Sequence, residues 1–200
     1  MNSLLNFLIS VFLVLILWPV LLITSLLILM KLGLPILFIQ ERVGLDGKTF
    51  RLYKFRTMTN KIDQEQNLLP DGERLTKFGL FIRKASLDEL PQLLNIIKRD
   101  MNIVGPRPLL VRYLPFYTVE ENKRHSVKPG ITGLAQISGR NHLDWETRLR
   151  LDVEYVHNRS IWLDLKIVSK TILKVIKSDG VVDNPSDLLI DLDIDRQNLK

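Results

Sequence analysis

Residues 4 to 30 carry no charge and are mostly Leu, Ile, Val and Phe. A straight helix of that length, rising ~1.5 Å per residue, is long enough to cross the ~30 Å hydrocarbon core of a bilayer. Pro19 falls near its middle and cannot donate a backbone hydrogen bond. Two outcomes stay open: a kink inside a spanning helix, or a helix–break–helix that enters and leaves by one face. Beyond the apolar run the pattern shifts to period two. Residues 36–43 and 49–58 read as strands, with Asp46-Gly47 as the hairpin turn. Alternation puts Leu52, Lys54 and Arg56 on one side of the second strand.

A polar loop, 59–72, leads into an amphipathic helix over 74–84, with Leu75, Phe78, Phe81 and Ile82 set against Arg74, Lys77 and Lys84. A further helix is expected from about 87 to 98, then a short strand over 101–104. Residues 109–117 are apolar and aromatic, broken by Pro115, and Gly130, Gly133 and Gly139 punctuate a loop region. Helices are expected over 145–157 and 161–177. The last has an apolar stripe, Ile161, Leu165, Val168, Ile172 and Val175, beside Lys166, Lys170, Lys174 and Lys177. Trp162 at its start, with an apolar anchor elsewhere, points to a helix lying in a membrane interface.

These elements predict an α+β fold: one helix-rich domain with a β-hairpin and interfacial amphipathic helices, anchored by an N-terminal membrane helix. The divisions expected are 1–33 for the membrane helix, 34–180 for the domain and 181–200 for an acidic, loosely ordered tail. No internal repeat is present. The apolar run is too long for a signal peptide and lacks a basic leader and a small-residue cleavage site. Basic residues begin at Lys31, which places the body on the cytoplasmic side.

Charge sharpens the picture. The chain carries 28 basic and 22 acidic residues, a net +6, and no cysteine. Residues 178–200 hold six Asp against Arg196 and Lys200, so the positive excess belongs to the body. A basic body suits phosphorylated substrates or an anionic leaflet. No nucleic-acid-binding motif is present, nor any Walker A loop or dinucleotide fingerprint. His125, His142 and His157 lack metal-ligand spacing and are expected at the surface.

Two segments carry chemistry. Ser86-Leu87-Asp88-Glu89 fits a capping box, Ser86 with Glu89 three residues on. The same placement favours an ionised Asp88, a nucleophile or metal ligand, so both readings stand. In Gly105-Pro106-Arg107-Pro108, two prolines flank one arginine. That is either a rigid loop or a preorganised guanidinium for a phosphate or carboxylate. Lys54, Arg56, Arg83 and Lys84 lie within reach of such a clamp.

With these residues in view, the chain resembles the bacterial sugar transferases, specifically the small monotopic polyprenyl-phosphate phosphoglycosyl transferases. The resemblance rests on ordered motifs: Gln40-x-Arg42-x-Gly44, Tyr53-Lys54-Phe55-Arg56-Thr57-Met58, Ser86 through Gln92, Val104 through Pro108, Lys128-Pro129-Gly130-Ile131-Thr132-Gly133, and Leu151-Asp152-Val153-Glu154-Tyr155. It implies transfer of a sugar 1-phosphate from a UDP-sugar to polyprenyl (undecaprenyl) phosphate, releasing UMP, as a first membrane step of glycan assembly. It further implies Asp88 as nucleophile through a covalent phosphosugar–aspartyl intermediate, Mg²⁺ held by Asp88 and Glu89, and Glu89 either helping to hold that metal or handling the proton of the second step. Lys54, Arg83 and Arg107 would form the phosphate clamp, with Arg56, Asp152 and Tyr155 as further substrate-binding candidates. The family's membrane helix is re-entrant and broken at a Ser-Pro pair. Here the pair is Trp18-Pro19, so a break near Pro19 is expected, at the cytoplasmic face of a bacterial inner membrane. Two rivals remain: a single-displacement transferase with Asp88 only a metal ligand, and a non-enzymatic bitopic scaffold. The sugar and the oligomeric state are not readable from the sequence.

Overall fold

The computed structural model describes residues 2–139, 143–176 and 190–197. It begins with α1, Ser3–Leu32, capped at its start by the Asn2 side chain. The helix continues through Pro19. The residues α1 buries include Asn6, Ser10, Thr24 and Ile28, whereas Leu15, Trp18, Leu22 and Ile23 are exposed. The side of α1 that meets the body thus includes polar Asn6, Ser10 and Thr24, while many large apolar side chains face outward, a pattern that suits a hydrocarbon environment. α1 is long and apolar enough to cross a membrane.

The expected hairpin follows. β1 (Leu37–Val43) pairs antiparallel with β2 (Thr49–Phe55), Arg42 opposite Phe50 and Phe38 opposite Lys54. Asp46 and Gly47 both take positive φ, 54° and 75°, which lets the turn follow the strands' twist. β2 stops at Phe55, so Arg56 lies beyond it. The polar loop leads to α2 (Asp71–Arg74) and α3 (Lys77–Lys84), the latter capped by Thr76. The carboxylate segment is a 3₁₀ turn, Leu87–Gln92, running into α4 (Leu93–Ile97). Pro91 lies within that first segment, where the tighter turn accommodates it.

β3 (Asn102–Val104) pairs parallel with β4 (Gly130–Thr132) in a second small sheet. Between them lie a 3₁₀ turn at Val111–Phe116, α5 (Val119–Asn122) and a second turn at Lys123–Ser126. α6 (Leu134–Ser138), α7 (Trp145–Asn158) and α8 (Ile161–Ile176) complete the body. The architecture is thus mixed, with helices around two two-stranded sheets.

Three apolar clusters hold it. Leu52, Leu93, Ile96 and Met101 pack with Leu13, Val14 and Leu17 of α1, fastening the anchor to the hairpin and to α4. Val104, Val127, Ile137, Tyr155 and Ile167 form a second. Leu109, Tyr113, Trp145 and Leu149 form a third with Leu192. That last residue corrects the expected loose tail: Leu192–Gln197 is a docked helix, α9. Leu192 is fully buried, the Trp145 indole donates to the Ile190 carbonyl, and Arg112 pairs with Asp191 and Asp193. An apolar anchor inside an acidic stretch, with basic partners on the body, is enough to seat it. Lys177 and residues 181–189 of the expected tail fall outside the described residues, as does His142.

Candidate active site

The site starts from the inward face of the hairpin. Gln40, Arg42, Phe50, Leu52 and Lys54 share that face, because directly opposed residues of an antiparallel pair project together. Lys54 reaches across to the 3₁₀ turn and donates to Glu89 Oε1 at 2.8 Å, with Asp88 Oδ2 at 3.7 Å. Arg107 donates to the same Glu89 oxygen at 2.9 Å. Glu89 thus collects both cations through one oxygen, and no described residue donates a hydrogen bond to Asp88.

The electrostatics of the two carboxylates diverge accordingly. Burial pushes the Asp88 carboxyl up to about 6, and Glu89 adds like-charge repulsion; Lys54, Arg83 and Arg107 pull the other way without cancelling it. Burial also works against an ionised Glu89, but Lys54 and Arg107 outweigh it and hold that carboxyl well below the usual range. Arg83 donates from Nε to the Thr57 hydroxyl at 3.0 Å, which steadies it beside Asp88.

The expected capping box is absent. Ser86 sits in the left-handed region at φ 54° and makes no side-chain cap bond, while the Glu89 side chain is spent on Lys54 and Arg107. A non-glycine residue at positive φ two positions before Asp88 places local strain beside that carboxylate.

Backbone contacts hold Lys54 and Arg107 in register. Asn95, fully buried on α4, donates to the Arg51 carbonyl and accepts from the Tyr53 amide, so it grips the free edge of β2 on either side of Leu52, just before Lys54. The Arg107 loop is pinned to β4 by Gly105 N–H to Thr132 O (2.9 Å) and Gly130 N–H to Pro106 O (3.0 Å). A Cβ on Gly130 would lie 2.1 Å from the Gly105 nitrogen, so this approach needs glycine. From the other side Arg124 donates to the Arg107 carbonyl at 2.6 Å.

Several sequence-predicted site residues lie elsewhere. The Arg56 guanidinium donates to the carbonyls of Leu32, Gly33 and Leu34 and caps the end of α1; a cation there also suits the helix dipole. Asp152 is buried in an ion pair with Arg124, at 2.7 Å and 3.1 Å, and so supports Arg107 at one remove. The Tyr155 hydroxyl donates to Asp164 at 2.8 Å inside the core. His125 is buried rather than at the surface. Burial, then Arg124, lowers its imidazole to about 4, and Asn122 partners it at 2.8 Å. His157 is exposed, as expected. Sequence reasoning missed Asn95 and Arg124. Asn95 stands alone among Leu93, Leu94, Ile96 and Ile97, the single polar signal there was to find.

No group of three or more His, Cys, Asp or Glu side chains gathers among the described residues. Asp88 and the free Oε2 of Glu89 supply hard oxygen donors. That suits Mg²⁺, which takes one or two carboxylates and completes its shell with water and substrate phosphate.

The described site is thus a carboxylate pair among lysine and arginine, in a chain whose N-terminal helix is long and apolar enough to cross a membrane. The chain belongs to the bacterial sugar transferase family, whose model matches residues 1–178. It is 57% identical over 162 residues to an uncharacterized sugar transferase, EpsL, of Bacillus subtilis, covering 81% of this chain and 80% of that one. It is 41% identical over 165 residues to an undecaprenyl-phosphate galactose phosphotransferase of Salmonella typhimurium, covering 74% of this chain and 35% of the relative. It is 40% identical over 174 residues to a UDP-N-acetylgalactosamine-undecaprenyl-phosphate N-acetylgalactosaminephosphotransferase of Aeromonas hydrophila, covering 81% and 40%. The chain therefore spans well under half the length of the last two.

Proposed function

We propose that this protein transfers a sugar 1-phosphate from a UDP-sugar to undecaprenyl phosphate at the cytoplasmic face of a bacterial inner membrane, releasing UMP. The observation that carries the reading is the division of labour between adjacent carboxylates. Glu89 absorbs the hydrogen bonds of Lys54 and Arg107, and Asp88 keeps its lone pairs beside three cations. A buried carboxylate with no donor of its own is a competent nucleophile.

In the proposed first step an Asp88 oxygen forms a bond to the sugar-bearing phosphorus. The bond from that phosphorus to the bridging oxygen breaks, and UMP leaves with the electron pair. In the second, an oxygen of the acceptor phosphate attacks the same phosphorus and the Asp88 carboxylate departs. Lys54, Arg83 and Arg107 neutralise the phosphate oxygens, and Glu89 holds Lys54 and Arg107 in place. Mg²⁺ held by Asp88 and Glu89 would offset the repulsion between carboxylate and diphosphate.

The anchor reading supported best is re-entrant. Asn6 accepts a hydrogen bond from the Ile103 amide at 2.8 Å, and Arg56 caps the carbonyls at the other end of α1. Contacts at both ends with one body favour a helix that returns to the face it entered. The outer side of α8, with Trp162 78% exposed beside Leu165, Ile172 and Ile176, fits the lipid interface.

The test is intact-protein mass spectrometry of detergent-purified protein with Mg²⁺ and a panel of UDP-sugars, without acceptor. A mass gain of one sugar phosphate with equimolar UMP, abolished in Asp88→Asn, is expected and names the sugar. UMP appearing only after acceptor is added, with no adduct from any donor, points to single displacement instead.

A further inference from the structure

Arg42 lies on the inward hairpin face that carries Lys54, yet nothing above gives it a task. Its Nη1 is sealed from solvent and has no hydrogen-bond partner. Its electrostatic neighbours are Arg107, Arg112 and Tyr113, so burial and two further cations lower it to about 10. A sealed, unpartnered nitrogen on a half-buried guanidinium beside other cations is costly unless an anion arrives. Arg112 has anions of its own in Asp191 and Asp193, and Arg107 has Glu89. Arg42 has none.

Position indicates which anion. The charges acting on Asp88 are Lys54, Glu89, Arg83 and Arg107, whereas Arg107 is the one cation of the clamp that also acts on Arg42. The hairpin register agrees: Arg42 stands four residues along β1 from Phe38, the partner of Lys54, and bridges Leu110, three residues past Arg107, so it lies along the same face from the Lys54–Asp88 contact with the Arg107 loop beside it. An in-line displacement puts the leaving oxygen on the side of phosphorus opposite the attacking carboxylate. The second displacement then enters from the side the first leaving group vacated.

The geometry points to Arg42, with Arg107, as a single phosphate subsite used twice, first by the phosphate of departing UMP and then by the phosphate of the lipid acceptor. This inference rests on the double-displacement reading above, and its test does not need the covalent step. Arg107 supplies the contact nearest the reacting phosphorus. Arg42 supplies forked donors to the second phosphate, an arrangement guanidinium suits better than ammonium.

The experiment uses full-length Asp88→Asn protein, which cannot form an adduct, in detergent with Mg²⁺. Binding of UMP, and of a short-chain prenyl monophosphate, is measured with and without the added substitution Arg42→Gln. The expected results are that each phosphate displaces the other, and that Arg42→Gln weakens both by roughly 10- to 100-fold. Arg42→Lys should fall between, because charge survives and the fork is lost. Ligand-free melting temperature should hold or rise in Arg42→Gln, since a half-buried cation with an unpartnered nitrogen has been removed. Unchanged UMP affinity overturns the subsite. Weakened UMP with unchanged prenyl phosphate overturns the double use. A lower ligand-free melting temperature, with affinity restored at low temperature, makes Arg42 structural. Failure of the wild type to form an adduct instead bears on the covalent reading, and these binding results stand apart from it.

Discussion

Burial holds Asp88 near 6 in the substrate-free protein, so the ionised form that the proposed mechanism needs is drawn out as pH rises. The rate of adduct formation at low UDP-sugar should climb through about pH 6 and then level. Rapid-quench measurement of UMP between pH 5 and 8 reads this limb, and a flat profile would speak against Asp88 as the titrating nucleophile. The same shift has a stability consequence of opposite sense. The folded-state value lies above the unfolded one near 3.8, so the protonated form favours folding. That contribution is complete below about pH 4 and disappears as pH climbs to 6. Above it, ionised Asp88 costs up to about 3 kcal/mol. Asp88→Asn should therefore melt higher than wild type at pH 7.5 while being inactive. Glu89 behaves in reverse. Its depressed carboxyl stabilises the fold above the unfolded value near 4.5, and that stability is lost as pH falls. Glu89→Gln strands Lys54 and Arg107 and should lower stability by about 2–3 kcal/mol. Thermal melts of the two variants side by side test the pair. Melting shifts of the same sign would contradict this division of labour.

Among elements, the link between α4 and β2 controls the site. Asn95 bonds to the backbone of Arg51 and Tyr53, immediately before Lys54, and to Asp100 at 3.3 Å. Replacing it with alanine strands a buried carbonyl and amide, and should cost about 2–3 kcal/mol and lower turnover together. Chemical denaturation and adduct yield measure the two effects, and full activity would show that Lys54 keeps its place without Asn95. α8 makes a separable contribution. The residues α8 buries are Asp164 and Ile167, while Leu165 and Ile172, from the apolar stripe visible in the sequence, stand about half exposed. Leu165 and Ile172 thus face outward, beside the lysines, while Val168 of the same stripe packs against the core cluster of Tyr155 and Ile167. A Leu165→Asp/Ile172→Asp double variant should keep adduct formation from the soluble donor and lose most transfer to acceptor in vesicles. Equal loss in both assays would make this face structural.

At the scale of the whole molecule, what could be read from sequence divides by the range of the interactions. The hairpin, α7 and α8 follow local periodicity and turn chemistry, and Lys54, Asp88, Glu89 and Arg107 stand in compact motifs. Arg56, Asp152 and Tyr155 occur in equally compact motifs, yet their partners are α1 carbonyls, Arg124 and Asp164. Which polar residue meets substrate and which meets protein depends on packing between distant segments, and so does α9, whose seat is Leu192 among Leu109, Tyr113, Trp145 and Leu149. The anchor is the largest such case. Thirty helical residues laid straight would reach ~45 Å, so a bitopic helix would carry Asn2 to the far side of the bilayer. The Asn6–Ile103 hydrogen bond instead holds that end against the body, as does the cation–π contact of Arg99 over Phe7. The chain has no cysteine, so single cysteines report position without background. Asn2→Cys and Gly47→Cys should both resist a membrane-impermeant maleimide in intact spheroplasts and both react in inverted vesicles. Trp18→Cys should stay protected in both, since Trp18 lies on the exposed apolar side of α1. Labelling of Asn2→Cys in spheroplasts, with Gly47→Cys still protected, would make the helix bitopic. It would also detach Asn6 from Ile103 in the membrane, and Asn6→Ala would then leave activity unchanged. With both ends on one face, Asn6→Ala should loosen α1 from β3 and reduce transfer to the lipid acceptor.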